Sequence, residues 1–472
     1  MNNRPQVAIV IVNWNKRDYL YNLLISLGNM ADVNCDIIVV DNASTDDSVQ
    51  ILKKSFPDVF LLVNEENIGG AGGFNTGIRH ALKLRRYKYI WLLDNDAEVK
   101  SNTLTELVEV MENDNGIGIA GSMIINPDNK DLIVELGLNI DWNTGIVKPF
   151  MENYSLSDVE ECVYKVDYVP ACSALIRTEA LSKTNLMDER YFIWWDDTDL
   201  GLSIQKMGYK IVGVTKSIVY HPTEKDWILI NYYNNRNALL AFSKFAELKD
   251  RIKIFHRIAS YSSKGVLFHY LTNNRFMSKL LYYSLADFFL NRWKQYGHEY
   301  GSDLKALEHS QKQKLTVDDG IKIIILPTGN LAKITKCVDL IRNSGAKCSI
   351  ALLIQEYRKS LFEDLTLDDF ILYDDKKRHI VIEHIRVFSR LLFRNFDVAI
   401  MPSKDTDSPF GYIAKKYYVY DVENNAINFK GKRIDLWKVI IATIFGELIA
   451  LPLTFFLLIK SHKYNNEEKF SK

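Results

Sequence analysis

Cysteine is the first scarcity. Five residues in 472, Cys35, Cys162, Cys172, Cys337 and Cys348, contain no CxxC pair. Neither a disulfide scaffold nor a zinc site is written in that set, and a reducing compartment is expected. Net charge is missing too, since 59 basic residues offset 59 acidic ones. That balance argues against general attraction to nucleic acid, and no nucleic-acid partner is expected. Two nucleotide signatures are absent. No GxGxxG follows the first apolar run, which disfavours a Rossmann dehydrogenase, and no GK[ST] closes a glycine loop, which excludes a Walker loop. Low-complexity tracts and short repeats are lacking. No signal peptide is expected, because the apolar run Val7 to Val12 is short and leads into Asn13-Trp14-Asn15.

What is present is 47 % apolar residues, enough for sizeable cores. The length leads to an expectation of two or three domains. VAIVIVNW, DIIVVD, VFLLVN and YIWLLD read as buried strands, and RDYLYNLLISL, STDDSVQILKK and FNTGIRHALKL between them read as helices. This α/β alternation predicts a mostly parallel sheet with helices on both faces. Ligands in such sheets bind at the carboxyl ends of the strands. The polar clusters fall at those ends: Asn13-Trp14-Asn15, Asp41-Asn42-Ala43-Ser44, Asn64 to Gly73, and Asp94-Asn95-Asp96.

The expected organisation is an α/β domain over 1–250, a basic amphipathic helical segment over 251–310, a second small α/β domain over 320–425, and a hydrophobic helix over 434–460. Ser302 to Gly320 reads as a linker. His379, His384 and Asp374-Asp375 are expected on a solvated surface. The helical segment fits an anionic membrane surface and the core of a helical subdomain equally well. Val439 to Ile459 carries one charge, Glu447, and is long enough to cross a bilayer. Glu447 and Pro452 suit a buried or re-entrant helix, so both readings stay open.

Three clusters carry chemistry. Asp94 and Asp96 end an apolar strand; they read as a turn or as a cation site, since like charges this close repel unless a cation intervenes. Asn67-Ile68-Gly69-Gly70-Ala71-Gly72-Gly73-Phe74-Asn75 opens a helix, where backbone N–H groups can meet a diphosphate. In YFIWWDDTDLGL, Asp197 sits behind Trp194 and Trp195, where desolvation can raise a carboxylate toward a useful base and an aromatic face can stack on a sugar. His221, after KIVGVTKSIVY, is a capping residue or an imidazole ligand of a cation such as Mn²⁺.

VAIVIVNWN, IIVVDNASTD, NIGGAGGFNTG, WLLDNDAEV, FIWWDDTDLGL and YHP stand in the order found in inverting glycosyltransferases of family 2. Over residues 5 to 250 the chain resembles that family, whose fold is GT-A. It is most similar to the galactofuranosyltransferase branch, and rhamnosyltransferases share most of the motifs. The resemblance implies that Asp94 and Asp96 hold Mn²⁺ or Mg²⁺ against a sugar-nucleotide diphosphate and that His221 is a further ligand. It implies Asp197 as general base with Asp196 beside it, and Trp194 and Trp195 on the acceptor side. Donor contacts are implied for Asn13, Asp41, Asn42, Asn67, Gly69, Gly70, Gly72, Gly73, Asn75 and Asn95; Asn42 stands where many members have Asp. The expected reaction moves galactofuranose from UDP-galactofuranose to a lipid-linked or cell-surface glycan at the cytoplasmic face of the cell membrane. The alternatives are rhamnose transfer from dTDP-rhamnose and a non-catalytic sugar-nucleotide-binding protein.

Overall fold

Strands β1 (Val7–Asn13), β2 (Cys35–Asp41), β3 (Phe60–Val63) and β4 (Tyr89–Asp94) lie parallel in the order β3-β2-β1-β4. The chain is seen in a computed structural model that describes residues 7–30, 34–222, 227–272, 274–293, 319–326, 331–362, 365–373, 391, 394, 396–401, 414–421, 426–432 and 436–470. The expected linker, apart from its last two residues, and the isolated His379, His384, Asp374 and Asp375 lie outside these residues.

The chain divides into two units, one of Met1–Ser262, Leu281–His298 and Ile449–Lys472, the other of Ser263–Leu280 and Glu299–Leu448. In the first unit the sheet continues past β5 (Glu98–Val99), β6 (Ile117–Asn126), β7 (Asn129–Glu135), the hairpin of β8 (Leu138–Asp141) and β9 (Ile146–Pro149), β10 (Val163–Lys165), β11 (Ser173–Arg177) and β12 (Lys210–Tyr220). The sheet's main path is β10-β12-β6-β11-β4-β1-β2-β3, with β5 beside β12 and β7 beside β6, and β8 and β9 form a separate two-stranded sheet. Strand β11 runs antiparallel between β4 and β6, while β12 runs parallel to β6. This is the GT-A arrangement implied by the sequence resemblance.

The period-2 alternation of β1 divides its side chains between two cores. Val7, Ile9 and Ile11 pack with Leu20, Leu23 and Leu24 of α1 (Arg17–Gly28), Leu52 of α2 (Ser48–Ser55) and Leu104, Leu107 and Met111 of α4 (Thr103–Asn113). Ala8 and Val10 pack on the other face with Phe74 and Ile78 of α3 (Gly69–Leu84), Ala180 and Leu181 of the short α5 (Thr178–Leu181), and Leu200 and Ile204 of α6 (Asp196–Lys206). Burying each such aliphatic side chain contributes about 1.5–3 kcal/mol. Both faces are therefore closed, and only the strand ends are left for chemistry.

Helices α7 (Trp227–Phe245), α8 (Leu248–Leu271) and α9 (Arg275–Leu290) follow. Leu239, Phe242, Ile254, Ile258 and Phe288 form one core with Trp195 and with Ala450, Leu457 and Tyr464 of the last helix. In the first unit, Ile254, Ile258 and Phe288 of the basic amphipathic segment turn into this core, whereas Ile252, Tyr261, Tyr282 and Leu290 are exposed.

In the second unit, β13 (Lys322–Ile325), β14 (Ser349–Gln355), β15 (Asp369–Tyr373), β16 (Phe396–Met401), β17 (Ala414–Asp421) and β18 (Ala426–Lys432) form a sheet ordered β15-β14-β13-β16-β17-β18. All its pairings are parallel except β17 with β18. Ile323, Ile325, Ile350 and Leu352 bury against Ile334, Val338 and Ile341 of α10 (Leu331–Arg342). The chain's last described helix is α11 (Leu436–Phe470), which contains the apolar stretch Ile440–His462 of mean hydropathy 2.1.

Candidate active site

Register assembles the site. Asn13 pairs with Asp41 across β1 and β2, and Val12 pairs with Asp94 across β1 and β4, so three polar strand ends share one edge. Asn95 Nδ2 donates to Asn13 Oδ1 (2.8 Å), and Asn13 Nδ2 donates to Asp41 Oδ2 (3.1 Å). Asp41 Oδ1 accepts the backbone N–H of Ser44 (2.8 Å). Asn13 and Asp41 are fully buried, so this ladder underlies the edge and fixes its shape.

A second ladder positions the glycine loop. Asn64 Nδ2 donates to Asn42 Oδ1 (2.7 Å), and Asn42 Nδ2 donates to the carbonyl of Gly69 (2.9 Å). The N–H of Gly69 is capped by Asn67 Oδ1 (2.9 Å). Gly69 has φ +79°, and a Cβ there would lie 2.2 Å from the carbonyl oxygen of Phe192. At Gly73 a Cβ would meet Val12 Cγ1 at 2.6 Å and Asn42 Nδ2 at 2.9 Å. Glycine is thus required for α3 to start hard against the sheet edge, where the partial positive charge of its first turn can meet an anion. Asn75 goes elsewhere: its amide donates to the carbonyl of Met187 (2.8 Å) and to Glu189 (3.0 Å), and its oxygen accepts from Met187 (3.0 Å). It anchors the segment before the tryptophans and does not face the donor side.

Strand β5 pairs antiparallel with the end of β12, Tyr220 opposite Glu98, and this brings His221 to the acidic turn. His221 Nε2 lies 3.0 Å from Asp96 Oδ1 and 3.7 Å from Asp94 Oδ2. Burial works to lower the imidazole's pKa, but Cys172, Asp96 and Asp94 outweigh it and the imidazole is raised. The two carboxylates are split. Burial, with Asp96 and Asp197 nearby, pushes Asp94 up to about 6 against the pull of His221, although 40 % of its side chain still meets solvent and moderates the push. Asp96 resists the same burial through its contact with His221 and is lowered. Cys172 completes the corner: ligand atoms of Asp94, Cys172 and His221 all lie within 4.8 Å of one another. Carboxylates with an imidazole suit Mn²⁺, and a thiol beside them shifts the preference toward softer cations such as Co²⁺.

The Trp-Asp-Asp segment reaches the same edge. A Cβ on Gly70 would stand 3.5 Å from Asp196 Oδ2. Burial, then Asp197 and Asp94, raise Asp196 well above the carboxylate range. Burial also raises Asp197, but hydrogen bonds oppose it. Its carboxylate accepts the N–H of Thr198 (2.6 Å), the Thr198 hydroxyl (3.2 Å) and the N–H of Ala171 (3.4 Å). Adjacent carboxylates in unlike environments mark an acid and base pair.

The segment is strained. Phe192, Trp194 and Trp195 take φ of +64°, +60° and +74°, which costs of order 1–3 kcal/mol each. Helix α7 holds it there. Asn237 Nδ2 lies 2.9 Å from each of the carbonyls of Tyr191, Ile193 and Trp194. Buried Arg236 donates to the carbonyl of Tyr191 (3.0 Å) and lies over the rings of Tyr232, Tyr233 and Trp293. Trp195 departs from the expected acceptor-facing ring: it is 7 % exposed, packs on Phe242, and donates its indole N–H to Asn234 (2.7 Å). Trp194 is half-buried and meets Tyr233 edge-on. Asp199 is structural, bound by the Tyr191 hydroxyl (2.7 Å) and paired with Lys244. Cys172, Arg236 and Asn237 are the residues that sequence reasoning missed. The one signal for the last two was the polar run NYYNNRN inside an otherwise apolar helix.

Residues 8–183 match the model of Glycosyl transferase family 2. That stretch carries a family 2 glycosyltransferase domain. Among its relatives is an uncharacterized protein of Methanocaldococcus jannaschii, 33 % identical over 21 % of this chain and 45 % of that one, so the chain spans less than half of it. The N-acetylglucosaminyl-diphospho-decaprenol L-rhamnosyltransferase of Mycobacterium tuberculosis is 22 % identical over 46 % of this chain and 75 % of its own length. Galactofuranosyltransferase GlfT1 of Mycolicibacterium smegmatis is 24 % identical over 48 % and 74 %. A mannosyltransferase from Pyrobaculum calidifontis, solved with GDP-Man and Mn²⁺, aligns at 17 % identity over 64 % of this chain and 80 % of that one, with a TM-score of 0.38.

Proposed function

We propose that this chain is an inverting, cation-dependent glycosyltransferase that moves galactofuranose from UDP-galactofuranose to a lipid-linked or growing cell-surface glycan. The observation that carries the reading is the convergence of Asp94, Asp96 and His221 with Asp197 and the glycine-rich start of α3 on one sheet edge. Rhamnose transfer from dTDP-rhamnose is the second reading, because relatives of both kinds match similar lengths at similar identity.

Asp94, Asp96 and His221 would hold Mn²⁺ or Mg²⁺. Such a cation supplies Lewis-acid neutralisation of the diphosphate leaving group. The first turn of α3 faces the phosphates with backbone N–H groups. Asn95, tied through Asn13 to Asp41, keeps the acidic turn in register with the nucleoside side. Asp197 takes the proton from the acceptor hydroxyl as that oxygen attacks the anomeric carbon from the face opposite the diphosphate. The bond from that carbon to the diphosphate oxygen breaks, and the configuration inverts. Asp197 is the better base of the pair because its hydrogen-bond donors stabilise the ionised form, whereas Asp196 is held toward its neutral form.

The proposed location is the cytoplasmic face of a membrane, and the apolar C-terminal helix supports the membrane part of that reading. In the first unit Ala450, Thr454, Leu457, Ser461 and Tyr464 of α11 are buried, with Thr454 on His256 (3.2 Å) and the Tyr464 hydroxyl on Asn291 (2.5 Å). Leu451, Phe455, Phe456 and Ile459 are exposed. This exposed apolar face suits contact with lipid, whether the helix lies in the interface or crosses the bilayer.

The test is release of nucleoside diphosphate from a panel of nucleotide sugars, with Mn²⁺ or with chelator, beside Asp94→Ala and Asp197→Ala. Metal-dependent turnover of UDP-galactofuranose, lost in both variants, supports the reading. Preference for dTDP-rhamnose replaces it with the second. No calorimetric binding of any nucleotide sugar in the presence of Mn²⁺ overturns both.

A further inference from the structure

We infer that Cys172 is a ligand of the cation site, which makes it a mixed oxygen, nitrogen and sulfur centre. The inference rests on the cation-dependent reading of that site and adds a fourth residue to it.

The placement follows from the ladder between β11 and β4. Ser173 pairs with Leu93 in antiparallel register, so the next step outward sets Cys172 against Asp94. The N–H of Asp94 donates to the carbonyl of Cys172 (3.3 Å). Opposed residues in an antiparallel ladder put their side chains on the same face. On that face the ligand atoms of Cys172, Asp94 and His221 fall within 4.8 Å of one another. Three separate strand ends, those of β4, β11 and β12, thus each deliver one donor atom to a common point. Cys172 is 6 % exposed. A buried cysteine serving only to fill a core needs no imidazole and carboxylate against its sulfur. Here the sulfur borders the acidic turn that carries Asp94.

The chemical consequence is selectivity. Magnesium favours oxygen donors, whereas thiolate and imidazole favour softer cations. With a thiol among its donors, the site ranks Co²⁺ and Mn²⁺ above Mg²⁺, and binding releases the thiol proton to solvent.

Cobalt reads this directly. The full chain, freed of metal with chelator, is titrated with Co²⁺ and followed by absorption. Thiolate coordination gives a sulfur-to-cobalt charge-transfer band in the near ultraviolet, separate from the visible ligand-field bands. The expected result is such a band in the wild type and none in Cys172→Ala or Cys172→Ser, with ligand-field bands retained in both. Calorimetry with Mn²⁺ and Mg²⁺ is expected to show a loss of about 10-fold in Mn²⁺ affinity in Cys172→Ala, and a smaller loss for Mg²⁺. Far-ultraviolet circular dichroism verifies that both variants are folded. Cobalt bound without the charge-transfer band, and unchanged Mn²⁺ affinity in Cys172→Ala, overturns the assignment while leaving the cation site standing. Failure of the wild type to bind Co²⁺ or Mn²⁺ at all, with Asp94→Asn indistinguishable from it, overturns the cation site as well.

Discussion

His221 Nε2 and Asp96 Oδ1 lie 3.0 Å apart, joined by the short pairing of β5 with the end of β12. Two residues distant in the chain are thereby fixed as neighbours by backbone hydrogen bonds. If both ligate a cation, His221→Ala lowers Mn²⁺ affinity by at least ~10-fold and leaves the melting temperature near that of the wild type. Calorimetric titration of the purified variant decides it; wild-type affinity would remove His221 from the ligand set.

Asp197 and Asp196 differ in their hydrogen bonds, and the kinetic consequences should differ too. Asp197→Asn is expected to lower kcat by about 10²–10⁴ with donor affinity unchanged, because the amide cannot take a proton. Asp196→Asn mimics a carboxyl already held toward neutrality and should cost much less. Single-turnover rates of the two variants give the comparison, and equal losses would refute the assignment of Asp197 as the sole base.

Gly69 and Gly28 make a matched pair. Gly69 has φ +79° and faces the carbonyl of Phe192, whereas a Cβ on Gly28, at the end of α1, meets nothing within 4 Å. A left-handed backbone costs an L-residue about 1–2 kcal/mol even without a clash. Gly69→Ala should therefore lower both the melting temperature and nucleotide affinity. Gly28→Ala should leave affinity alone and change stability by at most about 1 kcal/mol. Nucleotide affinity equal in the two variants would contradict the role given to the glycine loop.

Acid should loosen the base of the Trp-Asp-Asp segment. Burial alone would raise Asp188, but its hydrogen bonds to Arg190 and the charge of Lys244 take it from 3.8 down to about 2. A carboxyl depressed on folding stabilises the native state fully above its unfolded pKa, and that stabilisation is lost as the pH falls from about 4 to about 2. It corresponds to roughly 2 kcal/mol. Asp188→Asn should melt below the wild type at pH 7, and the two should converge near pH 2. A gap that persists undiminished at pH 2 argues against this origin.

For α11, the exposed Phe455 and Phe456 should govern lipid binding. The wild type should co-sediment with phosphatidylglycerol vesicles, and the double variant Phe455→Asp, Phe456→Asp should stay in the supernatant with its fold intact. Each aromatic removed from lipid forfeits about 1.5–3 kcal/mol. A wild type that ignores vesicles in low salt would discard the membrane reading.

The parallel sheet was legible because β1, β2 and β4 are continuous apolar runs, and the acidic turn was legible because two carboxylates follow one of them. Cys172 was not. Its partner is chosen by the antiparallel ladder of β11 with β4, a relation between distant segments with no local sequence mark. Trp195 misled for a different reason, since an aromatic beside an aspartate has the same local sequence on a sugar platform as in a core. Asn75 looked like part of the glycine loop, but its amide is taken up by Met187 and Glu189. The hydropathy of α11 fits a span, whereas its contacts with His256 and Asn291 join distant segments and have no local sequence mark.

The left-handed run from Phe192 to Trp195 bears on affinity as well as geometry. Its ordering is met once, when Asn237 and Arg236 close over it during folding, and not again at each catalytic cycle. Under the proposed function, an incoming acceptor meets a wall already in shape. None of its binding energy is diverted to immobilising that loop, which leaves more of it for discriminating one acceptor hydroxyl from its neighbours.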